Sequence, residues 1–167
     1  MKKLLIFLSS VLFAFEISTP AFKNGSLIPQ KFTCDGENIS PEIIIKDIPK
    51  DTKSLAIVMQ DPDAPNGVFT HWILYSINPK VSHIPQNIPK KPVTNLGLQG
   101  INSFGITGYS GPCPPYRQTH RYFISAIALN KEVKLKPNLT IIEFLDKIRP
   151  FVTAVARYEG IYKRSTK

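Results

Sequence analysis

The residues best suited to chemistry lie in the segment "DPDAPNGVFTHW", residues 61–72, which contains two carboxylates and a histidine. Apolar runs flank it, "SLAIVMQ" before and "WILYSI" after. A proline lacks the backbone N–H that a central strand needs, so Pro62 and Pro65 predict a loop between two strands. A stiff loop with titratable side chains is a candidate functional site, although a polar turn with an incidental histidine has the same composition.

A second segment, "GPCPPYRQTHRY" at residues 111–122, also places prolines and a histidine ahead of an apolar strand. Two stiff loops that each enter a central strand can meet at one rim of a β-sandwich and form a small-molecule pocket with apolar walls and a few polar groups. The expected polar groups are Asp61, Asp63, His71 and His120. The expected walls are Trp72, Tyr109 and Tyr122, although Trp72 suits a core position better.

Short segments rich in Ile, Val, Phe and Tyr and bounded by Gly, Pro, Asn and Asp predict strands. They are residues 15–18, 42–46, 54–60, 72–77, 121–129 and 151–162. One helix is predicted, because Thr140 and Glu143 form a capping box and Pro150 stops propagation. Its apolar residues at helical spacing are Ile141, Ile142, Leu145 and Ile148. Strands that do not alternate with helices indicate a mainly β sandwich with one peripheral helix.

Residues 78–116 contain almost no regular pattern, only prolines followed by glycines. Ordered loops of this length usually have a function, and the alternative is a poorly ordered linker. Phe104 and Tyr109 favour the ordered loop, because they give the segment apolar side chains to pack.

The N-terminal residues 1–14 have the pattern of a signal peptide, with Lys2 and Lys3 ahead of an uncharged stretch of twelve residues. That stretch is shorter than the roughly 20 residues of a membrane span. Cleavage after Ala14 predicts one domain, residues 15–167, in the periplasm or outside the cell. An uncleaved apolar strand or anchor, or a cytoplasmic protein, is the alternative. Cys34 and Cys113 would form a disulfide after export and remain thiols otherwise.

The chain of 167 residues has a formal charge of +9, which falls to +7 without residues 1–14 because two lysines and no acids are removed. A basic chain attracts an acidic protein, an anionic lipid surface or a negatively charged ligand. The lysines are scattered without arginine and aromatic interleaving, which argues against nucleic acid. The cysteines have no metal-ligand spacing, so neither a metal nor another cofactor is expected.

Five motifs in order resemble the phosphatidylethanolamine-binding protein family, in particular its bacterial Raf-kinase-inhibitor-like branch. They are "FTCDGENISPEI", "DPDAPNGVFTHW", "LQGINSFGITGYSGPCPP", "HRYFISAIAL" and "GIYKR". The resemblance extends over residues 16–164, nearly the whole mature chain, and implies a sandwich of two antiparallel sheets with a small anion-binding cavity at one end.

The same resemblance implies a set of ligand-binding residues: Asp61, Ala64, Pro65, His71, Gly111, Pro112, His120 and Tyr122. In such a pocket an imidazolium, the tyrosine hydroxyl and backbone N–H groups donate to an anion, while Asp61 orients a histidine or meets an ammonium group. Strand alternation puts Arg121 on the face opposite His120, where it is expected to pair with Asp63. Cys34 and Cys113 are expected to lie close together, because their loops flank the pocket.

The chain departs from the family pattern at two places. The turn of residues 116–119 contains no glycine, so Tyr116 or Arg117 is expected to overhang the pocket and change ligand choice. Arg157 stands where the family commonly has a carboxylate.

These features favour non-catalytic binding of a small anionic or phosphorylated ligand, with possible modulation of a protein partner. One alternative is an inhibitor of a secreted protease or another protein that acts through surface loops. Another is a hydrolase that uses Asp61 and His71 as base and orienting residue. The sequence argues against the hydrolase, because it has neither a Gly-x-Ser-x-Gly nucleophile nor metal-ligand spacing.

Overall fold

The computed structural model describes residues 14–164, so the predicted signal peptide lies outside the described residues except for Ala14. Within residues 14–164, nine strands and one α-helix appear in chain order, together with two short 3-10 helices, Gln30–Phe32 and Arg149–Phe151. The bounds of the strands and of the α-helix are as follows. They are β1 (Glu16–Ser18), β2 (Ser26–Leu27), β3 (Ile43–Lys46), β4 (Ser54–Asp61), β5 (Phe69–Ile77), β6 (His83–Ile84), β7 (Leu98–Gln99), β8 (Thr119–Leu129), α1 (Ile141–Ile148) and β9 (Val152–Lys163). The fold is mainly β with a peripheral helix, as the sequence predicts.

The strands form two sheets. A three-stranded sheet has the order β1-β3-β6, and a six-stranded sheet has the order β2-β9-β8-β4-β5-β7. All pairs are antiparallel except β2 with β9. The main core, which includes Trp72 and Tyr109, contains side chains from both sheets, and a second core packs α1 against the other face of the six-stranded sheet. The buried position of Trp72 confirms its assignment to the core.

Helix α1 begins with the predicted capping box, in which Thr140 accepts from the backbone of Glu143. Its apolar residues divide between a buried and an exposed side. Phe144 and Ile148 are buried, whereas Ile142 is 69% exposed and Leu145 is 37% exposed. The side with Phe144 packs on the ring of Tyr75.

Strands β5 and β8 begin earlier than the sequence predicts, at Phe69 and Thr119. The hairpin pairing of Asp61 with Phe69 extends β5 toward the loop, so the loop contains only residues 62–68. Both His71 and His120 therefore lie in strands, where the sheet fixes their backbone.

The long segment 78–116 is ordered, as predicted. Of its two aromatic residues named above, Phe104 is 46% exposed and Tyr109 packs in the core, as do Ile84 and Ile88 of the same segment. The amide of Asn102 organises part of it. Its Nδ2 donates to the Gly108 carbonyl at 2.9 Å, and its Oδ1 accepts from the backbone of Phe104 at 2.9 Å. Gly108 has φ +90°, a conformation that residues with a side chain rarely adopt.

Cys34 and Cys113 are disulfide-bonded, with their Cα atoms 5.4 Å apart, which confirms that their loops lie together. None of the helices among residues 14–164 is both long and apolar enough to cross a membrane.

Candidate ligand-binding site

Antiparallel pairing brings three polar side chains to one end of the six-stranded sheet. Strand β4 ends at Asp61, and its neighbours β5 and β8 begin at that end with His71 and His120 close to their first residues. All three side chains line a cleft of about 430 Å³. The other lining residues are Ala64, Pro65, Asn66, Gly67, Val68, Phe69, Ser103, Phe104, Cys113, Pro114 and Pro115.

Asp61 and His120 form a buried pair on the floor of this cleft. His120 Nδ1 donates to Asp61 Oδ2 at 2.7 Å, and each side chain is only 5% exposed. The second oxygen, Oδ1, accepts the backbone N–H of Asp63 at 2.8 Å, which closes a turn over Pro62. His120 Nε2 lies 3.0 Å from the side-chain oxygen of Gln118. Asp61 thus orients a histidine, as expected.

His71 presents its other nitrogen to the cleft. Its Nδ1 donates to the carbonyl oxygen of Ser110 at 2.7 Å, because a carbonyl can only accept. Burial lowers the pKa of His71 below its ordinary value of 6.5, so the ring is neutral at neutral pH. Nε2 then carries a lone pair, which makes it an acceptor and not the imidazolium donor that the sequence predicts.

Tyr122 lies behind this floor and not in the cleft lining. Its hydroxyl is buried and has no hydrogen-bond partner among the described residues. Burial, and then the negative charge of Asp61, raise the pKa of Tyr122, so the hydroxyl keeps its proton. Its ring packs edge-on to His71, with the ring centres 5.3 Å apart.

Comparison with known proteins identifies the family of this chain. The family model described as phosphatidylethanolamine-binding protein matches residues 18–163. The chain belongs to the phosphatidylethanolamine-binding protein family. A protein from Aquifex aeolicus named UPF0098 protein is 43% identical over 151 residues, which cover 89% of this chain and 88% of that protein.

Two solved structures of the family share the fold. One is the phosphatidylethanolamine-binding protein homolog CT736 from Chlamydia trachomatis, with a TM-score of 0.83 and 32% identity, covering 91% of this chain and 99% of that one. The other is YbcL from Escherichia coli, described as a member of the mammalian family, with a TM-score of 0.82 and 26% identity, covering 89% and 98%.

Of the eight residues implied by the family resemblance, Tyr122 lies behind the floor, and the other seven divide into two groups. Asp61, Ala64, Pro65, His71 and His120 line the cleft, whereas Gly111 and Pro112 do not. The N–H of Gly111 donates to Asn38 Oδ1 at 2.7 Å, and the Pro112 carbonyl accepts from Cys34 N–H at 3.1 Å. Any side chain on Gly111 would collide with the Phe32 carbonyl oxygen. Gly111 and Pro112 therefore hold two loops together, and Gly111 lines a smaller depression of about 130 Å³ that shares Phe104 and Cys113 with the cleft.

The apolar walls differ from the predicted ones in this member of the family. Trp72 and Tyr109 are core residues. The indole N–H of Trp72 donates to the side-chain oxygen of Gln99, and the hydroxyl of Tyr109 donates to the Phe32 carbonyl. Phe69 and Phe104 form the aromatic wall instead, with ring centres 4.6 Å apart. Alternation could have identified Phe69, which lies two residues before His71 on the same strand, whereas no local signal identifies Phe104 as its partner.

The predicted pairing of Asp63 with Arg121 is confirmed. Arg121 donates from Nε and a terminal nitrogen to the two carboxylate oxygens, at 2.9 and 2.7 Å. These hydrogen bonds lower the pKa of Asp63 to about 2. The pair fastens the loop after β4 to the outer face of β8.

The turn without glycine does not overhang the cleft. Arg117 takes the left-handed conformation itself, with φ +67°. Tyr116 packs against the guanidinium of Arg164, 4.1 Å from its ring centre, and neither Tyr116 nor Arg117 lines the cleft. The turn acts on the site through Gln118, which contacts His120. Arg157, the second departure, stacks over Phe123 at 5.3 Å.

Among residues 14–164, no three His, Cys, Asp or Glu side chains cluster as metal ligands would.

Proposed function

We propose that the protein binds a small anionic or phosphorylated ligand, such as phosphate or a phosphoethanolamine-like head group, in the cleft of about 430 Å³. The observation that carries this proposal is the convergence of Asp61, His71 and His120 on one buried floor beneath apolar walls. A concave site with apolar walls and a few fixed polar groups is the usual form of a small-molecule site. Hydrogen bonds with charged partners contribute about 1.5–3 kcal/mol each, and association costs several kcal/mol, so weak binding is expected.

The three histidines allow a direct test. His71 and His120 lie in the cleft, whereas His83 is more than half exposed and pairs with Glu42 at 2.8 Å. Addition of phosphate or phosphoethanolamine to the purified protein should shift the ring NMR resonances of His71 and His120 and leave those of His83 in place. The His83→Gln variant is the matched control and should bind as the wild type does. The absence of any shift at millimolar ligand would remove support for the proposal.

We also propose that the site is not catalytic. Cys113 lines the cleft, but its sulfur is in the disulfide, and the hydroxyl of Ser103 accepts the Thr70 N–H at 2.9 Å. A hydrolase would instead use Asp61 and His71. Turnover of any phosphoester in a broad panel, lost in Asp61→Asn, would establish that activity and contradict the proposal.

A second candidate is inhibition of a secreted protease or modulation of another protein through the rim of the cleft. Val68, Phe104 and Ile106 expose 61%, 46% and 48% of their surface at or beside the rim. Inhibition of a protease panel that is lost in Val68→Ser with Ile106→Ser, and retained in His71→Gln, would favour this function. Loss in His71→Gln alone would link inhibition to the cleft.

We propose export to the periplasm or beyond. The supporting features are the N-terminal pattern of residues 1–14 and the Cys34–Cys113 bond, since disulfides persist mainly in oxidising compartments. Cell fractionation followed by mass measurement of the purified chain tests both export and cleavage after Ala14. A full-length cytoplasmic chain with two free thiols would contradict it.

A further inference from the structure

The floor of the cleft offers hydrogen-bond acceptors more than donors. His71 Nδ1–H is used by the Ser110 carbonyl, and Nε2 has no partner among the described residues. The fully buried side-chain atoms that lack a partner are Thr52 Oγ1 and the Tyr122 hydroxyl oxygen among the described residues. Nε2 is not one of them, and His71 lines the cleft, so Nε2 is open to the cleft. The neighbouring backbone N–H groups are used as well, since Gly111 donates to Asn38 and Ser110 donates to the His71 carbonyl.

The charged groups around the floor also favour hydrogen-bond acceptors over donors. The chain has 21 Lys and Arg residues, yet the described residues that line the cleft include one carboxylate, two histidines and no Lys or Arg. The groups that face His71 are the Asp61 carboxylate, the Asp61-bound ring of His120 and the protonated hydroxyl of Tyr122, with the rings of Phe69 and Phe104 around them. Sites that bind a fully ionised anion normally supply fixed cations or several free N–H groups.

We propose that His71 makes the cleft selective for oxyanions that carry a proton of their own, such as hydrogen phosphate, over oxyanions that carry none, such as sulfate. This inference rests on the proposed function. The P–OH group of hydrogen phosphate donates to Nε2 of His71. Sulfate offers only lone pairs, which would face the lone pair of Nε2 and the Asp61 carboxylate. A site arranged to accept a ligand hydrogen bond rejects an analogue without the hydrogen, often by several orders of magnitude.

Phosphate and sulfate form a matched pair for the test. Near pH 8 both are tetrahedral dianions of similar size, and they differ by one proton. That pH also keeps His71 neutral, because burial lowers its pKa. The two dissociation constants are measured on the full purified chain at constant ionic strength, from the resonances of His71 and His120. We expect phosphate to bind at least about tenfold more tightly than sulfate.

The outcomes separate this inference from the proposed function. Equal affinities, or tighter binding of sulfate, overturn the selectivity and leave anion binding intact. Binding of neither anion at up to about 50 mM, a concentration far above the millimolar range of weak specific binding, overturns both.

Variants at His71 test the residue itself. His71→Gln adds an amide donor, and His71→Lys adds a cation that can only donate. Both should raise the affinity for sulfate relative to phosphate and bring the ratio close to one, whereas His83→Gln should keep the wild-type ratio. The ratio is informative because a residue that only positions the loop would change both affinities together. If the buried lysine prevents folding, the glutamine variant decides, and an unchanged ratio in it overturns the assignment to His71.

Discussion

The two ends of the strands β8, β4 and β5 have the same sheet geometry but form different sites. One end has the cleft of about 430 Å³ with Asp61, His71 and His120 buried, while the other has a depression of about 220 Å³ where Lys53, Asn78 and Glu132 are exposed. At the cleft end, loops stiffened by proline and tied by the disulfide rise above the strand ends. The sheet brings the side chains together, and the loops exclude solvent from them.

The largest expected effect is on the disulfide that ties these loops. It joins residues 79 apart in sequence, and closing a loop of that length stabilises a fold by about 4 kcal/mol. Cys34→Ser with Cys113→Ser should lower the free energy of unfolding by about that amount in urea titration. The hydrogen bonds between the same loops should keep the fold intact. If the free energy of unfolding falls by less than about 1 kcal/mol, the hydrogen bonds alone hold the loops of the cleft wall in place.

The buried pair of Asp61 and His120 should give the next largest effect. Asp61→Ala leaves His120 Nδ1 and the Asp63 N–H without their acceptor, and a buried donor left without a partner typically costs about 1–3 kcal/mol. Glu132→Ala at the opposite end is the control and should change the free energy of unfolding by less than about 0.5 kcal/mol. Similar losses in the free energy of unfolding for Asp61→Ala and Glu132→Ala would contradict the difference in burial between the two ends.

His71 should make stability depend on pH. Its folded-state pKa lies below the ordinary 6.5, so the unfolded chain binds a proton more readily as pH falls below that value. The protein should therefore lose stability as pH falls from about 6.5, and His71→Gln should remove this component. Urea midpoints from pH 8 to pH 5 measure it, and a pH profile identical in the variant would contradict it.

The smallest effect is expected for Asp63 and Arg121, because an ion pair open to solvent contributes little to stability. The pKa of Asp63 falls from 3.8 to about 2 on folding, so the stabilisation is complete above about pH 4 and disappears as pH falls toward 2. Acid titration of Asp63→Asn beside the wild type should show the difference at pH 6 and none near pH 2.

The fold, and the meeting of Asp61, His71 and His120 at one end of the sheet, could be predicted because both depend on local chemistry. Strand residues, proline loops and a capping box act over a few positions, and Asp61, His71 and His120 stand next to strand ends. The prediction of the walls failed because it depends on pairing between distant segments. Phe104 reaches Phe69 only through the fold of the long loop, and Gly111 is fixed by the Phe32 carbonyl, 79 positions earlier.

Helix α1 shows the same limit on a smaller scale. Its start could be predicted from Thr140 and Glu143, which interact within one turn. Which side it buries depends on the ring of Tyr75, a partner that the helix sequence does not contain.

Strand β4, covered on both faces, gives the cleft a fixed base. Amides in such a strand exchange with solvent only when the whole domain opens, whereas the rim around Val68 and Phe104 is exposed and carries no such constraint. Substitutions at the rim can thus change access to the cleft without loosening the carboxylate at the end of β4.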